Sequence, residues 1–273
     1  MLIRHGAVIG GLVVLAACGG SPKGPSPTPQ SLRITPSVDL IRIKASETLT
    51  AVTTSTGGAE SNATATWTSD TPAVAQIDAN GRVTGQASGS SMITARANGL
   101  SATTTLRVVP DYHGRWEGMT RVTACADEGD FRALCDDVVG GGLPLLASVT
   151  QTRDALSADV DFDGAKGRIS TSVQPNGRFV TTGQLTLTIE DITFEVGLLE
   201  WDTTTTDNQL MTGRYRLEGR HSLLTGFWKL DGDFVAVQKA SGTPGLVAVD
   251  GTSHKSTRAR LFGRLSSAAS RRK

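Results

Sequence analysis

The chain has 273 residues, 27 basic and 26 acidic side chains, a net charge of +1 and 5% aromatic residues. The length allows one large or two modest domains, and after the first 17 residues no apolar stretch approaches the roughly 20 residues needed to span a bilayer as a helix. Three cysteines leave an odd one outside any single bridge.

The first element is an export signal. Arg4 precedes an apolar run from Ala7 to Ala17, and small residues lead up to Cys18. The segment Leu15-Ala16-Ala17-Cys18 resembles the lipobox of bacterial lipoproteins. That resemblance implies cleavage before Cys18, a diacylglycerol on its thiol and an acylated amino terminus. The acyl chains would then anchor the protein to a membrane, each buried CH₂ adding about 0.8 kcal/mol. Gly19, rather than an aspartate, follows the cysteine, which for such proteins implies the outer membrane in a diderm host. A plain secreted protein with an incidental cysteine is the alternative. Residues 18–31, rich in Gly, Pro and Ser, read as a spacing tether; Pro22, Pro25, Pro27 and Pro29 favour extended conformations of about 3.1 Å per residue.

Residues 32–110 read as the first domain. Short runs rich in Val, Ile and Thr are expected as strands: Leu32–Thr35, Val38–Ile43, Glu47–Thr56, Ala63–Thr68, Val74–Ile77, Arg82–Thr84, Ser91–Ala97 and Thr103–Val109. Asp78-Ala79-Asn80-Gly81 is a turn signal with glycine at a left-handed position. Seven or eight strands without a helical period predict a β-sandwich. Trp67 is expected in its core, without a bridging disulfide.

The motif order here resembles the group 2 bacterial immunoglobulin-like domain. The resemblance rests on Trp67-Thr68-Ser69-Asp70, on Val74-Ala75-Gln76-Ile77-Asp78-Ala79-Asn80-Gly81-Arg82-Val83-Thr84-Gly85 and on Gly89-Ser90-Ser91-Met92-Ile93-Thr94-Ala95. The flanks Leu32–Pro36 and Thr105–Val109 agree. It implies a surface-protein module, a spacer or a carbohydrate-contacting unit, with no catalytic residues to carry over.

Residues 111–250 read as a second β-rich domain. Glycine followed closely by an aromatic recurs at Gly114-Arg115-Trp116, Gly213-Arg214-Tyr215, Gly226-Phe227-Trp228 and, more weakly, Gly177-Arg178-Phe179. Alternation is clear from Leu156 to Phe162 and from Leu185 to Ile189. Nine or ten strands, each with one apolar face, predict an antiparallel meander or small barrel, closure removing exposed edges. A second sandwich or an open twisted sheet is the alternative. Gly114-Arg115-Trp116 faintly resembles the opening of lipocalin-like barrels, by these three residues alone. The fold class is therefore all-β: an Ig-like sandwich, then a meander or barrel whose interior is either core or ligand cavity.

Charge is uneven along the chain. Residues 111–250 carry 12 basic and 21 acidic side chains, whereas residues 251–273 carry seven basic and none acidic. The basic end is expected as a disordered tail, with folding back onto the acidic body or contact with anionic lipid as alternatives. A charged tail alone does not make a nucleic-acid binder, and none is expected as a partner.

Few residues suggest chemistry. Cys125 and Cys135 are expected to form a structural disulfide in an oxidising compartment; their spacing is too wide for a redox Cys-x-x-Cys. Asp159, Asp161 and Asp163 resemble the start of a calcium loop, but Ser170 stands where the bidentate glutamate belongs. They read better as the wet face of a strand. Asp127, Glu128, Asp130, Asp136 and Asp137 read as a solvated loop. His5, His113, His221 and His254 form no ligand pattern. No catalytic, cofactor or metal residue is therefore nominated. The expected function is a lipid-anchored, non-catalytic envelope protein. Its Ig-like spacer would present a β-domain to a glycan, an envelope component or a small ligand. A purely structural role and an enzyme of unrecognised type are the alternatives.

Overall fold

The computed structural model describes residues 28–136, 138–205, 208–239, 259, 261–267 and 270. The signal segment, Cys18 and most of the tether lie outside them.

The first unit contains β1 (Pro29–Thr35), β2 (Leu40–Arg42), β3 (Ser46–Thr48), β4 (Thr50–Ser55), β5 (Glu60–Ala63), β6 (Thr66–Ser69), β7 (Ala75–Ile77), β8 (Arg82–Gly85), β9 (Gly89–Ala97) and β10 (Leu100–Val109). They form sheets ordered β1-β4-β5, β2-β10-β9-β6 and β3-β8-β7. The segment expected as one strand from Glu47 to Thr56 divides at Leu49, whose N–H donates to Gly81 O at 2.8 Å and whose side chain is buried. β1 begins at Pro29, inside the stretch expected as tether, and pairs with β4 from Pro29↔Ser55 onward. β9 alternates buried and exposed positions, the period-two pattern of a sheet with one dry face. Ile41, Leu49, Val83, Ile93, Leu106 and Val108 form the core, and Trp67 packs half-buried against it. Gly81 takes a φ of +81° under the Trp67 ring, and Asp78 Oδ1 accepts the N–H groups of Asn80 and Arg82, each at 2.9 Å. A side chain at Gly81 would be strained by backbone and by ring alike.

The second unit is a closed eight-stranded barrel with simple up-and-down order. Its strands are β11 (Gly114–Asp127), β12 (Pro144–Thr152), β13 (Ala155–Phe162), β14 (Ala165–Ser172), β15 (Phe179–Ile189), β16 (Ile192–Thr205), β17 (Leu210–Arg220) and β18 (Trp228–Lys239). Closure is made by β11 and β18, paired from Arg115↔Lys239 to Asp127↔Trp228. The sandwich and open-sheet alternatives are thereby set aside, and eight strands replace the expected nine or ten. Two strands run through a glycine without ending: β15 through Gly183 at a register shift, and β18 through Gly232. Leu246–Val249, whose apolar residues would suit a further strand, lies outside the described residues.

The glycine-aromatic phrases acquire a reason from the register. Gly213 faces Phe234, Gly232 faces Tyr215, and Gly219 faces Trp228, all across the β17–β18 pair. Each ring occupies the space a Cβ would need on the opposite strand. This cross-strand pairing of glycine with an aromatic lets large rings fill a narrow barrel.

The two units meet over a buried junction. Tyr112, just after the last Ig-like strand, is fully buried against the barrel; its hydroxyl donates to Gly177 O at 2.7 Å, and its N–H donates to Gln151 Oε1 at 2.7 Å. Gln151 Nε2 donates to Pro110 O at 3.1 Å, and Arg42 donates to Gln151 O at 3.0 Å. Two further arginines cross the gap: Arg107 reaches Asp154 at 2.6 Å, and Arg153 reaches both oxygens of Asp39 at 2.6 and 2.7 Å. The buried polar groups of Tyr112 and Gln151 thus find partners, which is what burying a linker requires.

At the opposite end of the barrel, residues 261–267 form a helix with Leu261 and Leu265 buried in the barrel's core cluster. Within the stretch 251–273 expected as a disordered tail, residues 261–267 are helical, and most of the remainder lies outside the described residues. The apolar pair, four residues apart, falls on one helical face and outweighs the surrounding arginines.

Candidate functional site

A barrel interior is either packed core or ligand cavity. An aromatic chain fills it from the junction inward. Trp116 donates its indole N–H to Tyr112 O at 2.7 Å. The Tyr112 ring stands 5.1 Å from Phe179, which stands 5.9 Å from Trp201, itself 5.7 Å from both Phe162 and Phe234. Gly114-Arg115-Trp116 therefore opens the first barrel strand with Trp116 buried beside Tyr112. The void beside Trp201, Ile169, Phe179 and Met211 measures ≈ 10 Å³, about the space of one water. Among the described residues this void is far smaller than the several hundred Å³ usual for a ligand cavity.

The loop between β11 and β12 closes the far mouth. Cys125 and Cys135 are joined, with Cα atoms 5.5 Å apart. The acidic residues around the bridge are structural acceptors. Asp127 Oδ2 accepts the Cys135 N–H at 2.8 Å, and Asp130 Oδ2 accepts the N–H and hydroxyl of Thr225 at 2.8 and 2.9 Å. Those bonds hold the loop down while Phe131, Leu134 and Val138 enter the core. The loop expected to be solvated is a lid of apolar side chains with acids on its outer side. Asp137 lies outside the described residues.

Asp159, Asp161 and Asp163 are likewise engaged with the protein. Asp159 pairs with Arg168 at 2.8 Å, and Asp161 lies 3.5 Å from Lys166 and accepts the Gly164 N–H. Asp163 and Gly164 both have positive φ, 51° and 102°, and turn the β13–β14 hairpin in two residues. Arginine and lysine beside these carboxylates oppose the charge that would attract calcium. Among the described residues no group of three or more His, Cys, Asp or Glu is placed to hold a metal ion.

His221 is engaged locally: its Nδ1 accepts the Leu223 N–H at 3.2 Å and its ring stands 5.3 Å from Phe194. His113 lies in the junction, where its carbonyl accepts from Gln238 at 2.6 Å. His5, His254 and the lipidation candidate Cys18 lie outside the described residues.

What remains is the outer face. A shallow groove of ≈ 520 Å³ crosses β11 to β14, lined by Arg115, Ser148, Asp159, Asp161, Lys166 and Arg168 among others. A second, of ≈ 300 Å³, runs between Glu200, Arg214, Arg216, Asp231 and Asp233. Both mix opposite charges already paired to each other, as Arg216 is to Asp231. Sequence reasoning did not find these grooves, because each is assembled from outward positions of neighbouring strands and depends on register.

No curated protein matches the chain. Among solved structures, that of domains 4–9 of the surface layer protein SbsC is 13% identical, covering 76% of this chain and 31% of that one, with a TM-score of 0.30. That of SbsC domains 5–6 is 12% identical, covering 76% and 98%, with a TM-score of 0.29. These likenesses are too remote to carry a functional assignment. Residues 30–108 match the family model of the bacterial Ig-like domain (group 2), so the first unit carries a family assignment and the barrel stands outside the matched region.

Proposed function

We propose that the chain is a lipid-anchored, non-catalytic envelope protein in which the Ig-like domain and the barrel form one stiff projecting unit. The filled barrel interior carries this reading: with aromatic rings where a ligand would sit, the second unit serves as a solid body displayed by the first. The junction supports stiffness, because Tyr112, Gln151 and three arginines tie the linker to both sides. The lipobox-like segment before Cys18 supports anchoring, and the Ig-like family match supports an envelope or surface setting. Metabolic labelling with a fatty-acid analogue tests the anchor: wild type should label and Cys18→Ser should not. Equal labelling of both would remove the anchor from the proposal.

A second reading follows from the ≈ 520 Å³ outer groove, whose paired charges and hydroxyl suit a polar, uncharged partner such as a glycan. A glycan screen on the intact chain tests it. Binding that survives Arg115→Ala together with Arg168→Ala would place recognition elsewhere.

A further inference from the structure

Four strand connections ring the far mouth of the barrel, and the tips of three of them meet a helix. The tips are the disulfide-bridged loop after β11, the β13–β14 turn at Gly164 and the β15–β16 turn at Glu190. The helix, residues 261–267, touches all three. Leu261 and Leu265 enter the core cluster that also contains Phe131, Leu134 and Phe194, and the Phe262 ring lies over Gly164. At the rim, Arg264 pairs with Asp136 at 3.1 Å, and the Ser266 hydroxyl donates to Glu190 at 3.3 Å.

This helix, unlike the barrel strands, is held by no ladder. β18 ends at Lys239 at the Ig-like side of the barrel, paired with Arg115 near the start of β11. The helix sits at the opposite side, with residues 240–258 in between. No strand ladder joins it to the barrel. A helix this short does not hold its shape alone in water, so its order comes from the seat. Between helix and bridged loop a gap of ≈ 240 Å³ remains, lined by Asp130, Leu134, Asp136, Arg264 and Ser267. One charge pair spans it, Arg264 with Asp136, and the sequence around the helix is basic, with seven basic groups and no acid in residues 251–273.

We propose that this mouth is a recognition site for a basic amphipathic helix, and that the chain's own residues 261–267 are its resident, reversibly seated stopper. The apolar pair supplies affinity and the arginine-carboxylate contact supplies orientation. Release exposes an apolar mouth without breaking a single barrel ladder.

The test uses the full chain and a labelled synthetic peptide of residues 255–270. In the variant Leu261→Asp with Leu265→Asp the resident helix should leave, and the peptide should bind at least about tenfold more tightly than to wild type, where the tethered copy competes at high effective concentration. Binding should weaken as salt is raised, because the rim pair is exposed. Equal binding to variant and wild type overturns the proposal, as does equal binding of a peptide carrying both aspartates. A measurement on wild type covers the case in which the variant does not fold. Amide exchange in residues 261–267 should be faster than in β11 and β18. Exchange only through global unfolding would make the helix a fixed part of the core and overturn the proposal.

Discussion

Arg107, near the end of the last Ig-like strand, donates to Asp154 at the tip of a barrel hairpin at 2.6 Å. Its neighbour on that tip, Arg153, donates to Asp39 on the Ig-like side. One two-residue turn therefore grips the first unit with both signs of charge. The reciprocal arrangement resists bending in a way that a single bridge, free to swivel, would not.

Acid should loosen this junction. Arg107 beside Asp154, and Arg153 beside Asp39, hold both carboxyls below their ordinary range. A carboxyl with a lowered folded pKa contributes stability above its unfolded value, roughly pH 4, and loses it as pH falls through the folded value. Small-angle scattering should show an unchanged shape from pH 7 to about 5 and a more extended ensemble below about 4. Arg107→Ala should give a milder version at neutral pH, costing below about 1 kcal/mol because the pair is partly exposed. A shape indifferent to both changes would mean that the buried Tyr112 and Gln151 contacts suffice.

Gly219 tests the glycine-aromatic device. A Cβ there would overlap the Trp228 indole, and both are buried in the β17–β18 pair. Gly219→Ala should destabilise by roughly 1–3 kcal/mol or more through overpacking, read from urea unfolding followed by tryptophan fluorescence. Gly57→Ala, with open space around its Cβ, should stay within about 0.5 kcal/mol. Similar effects at both positions would contradict the packing account.

The Ig-like unit was largely legible in the sequence because its signals are local. Asp78 to Gly81 encodes its turn in four residues, and β9 carries its own alternation. The barrel was legible as strands and not as a count, since Gly183 and Gly232 look like breaks until the facing Ile169 and Tyr215 explain them. Tyr112 gave no signal as a junction residue, because its partners Gln151 and Gly177 are distant in sequence and meet it only after closure. The helix at 261–267 was hidden by charge: seven basic residues masked the Leu261–Leu265 spacing. The two cysteines, at a separation of 10 residues, were readable by elimination once Cys18 was assigned to lipid.

The disulfide should matter for the lid more than for the barrel. Exported protein should show two alkylatable thiols at Cys125 and Cys135 only after reduction. Cys125→Ser with Cys135→Ser should cost roughly 2–4 kcal/mol and raise binding of a hydrophobic dye, as Phe131, Leu134 and Val138 leave the mouth. Loss of stability without new dye binding would show the lid to be held by Asp127 and Asp130 instead.

The barrel should open first between β14 and β15. Ladder pairing there is confined to Ala165↔Leu187 and Lys166↔Thr186, whereas β11 and β18 share twelve partners. Amides of β14 and β15 that face each other beyond those two pairs should exchange faster than any in the β11–β18 seam, since local opening follows the weakest bonding. Uniform protection around the barrel would show that side-chain contacts such as Thr171 Oγ1 to Val180 O, at 3.0 Å, replace the missing ladder.

Alkali supplies a test that needs no mutation. The sequence contains two tyrosines, and both are buried where the units meet or inside the barrel. Burial pushes Tyr215 up to about 12, with Asp231 and Asp233 adding to the rise, and burial also pushes Tyr112 upward. A raised folded pKa on a group that is neutral when protonated gives stability that is complete below the unfolded value, roughly 10, and is lost as pH rises through the folded values. Above pH 10 the unfolded chain releases two protons that the native state keeps, a loss approaching ~2.7 kcal/mol per pH unit from the tyrosines. Absorbance at the tyrosinate band should therefore stay flat to about pH 11, then rise in one cooperative step that coincides with loss of the circular-dichroism signal. A gradual rise centred near pH 10, with the barrel still folded, would place at least one of these hydroxyls in water and undo the picture of Tyr112 as a sealed joint and Tyr215 as interior filling.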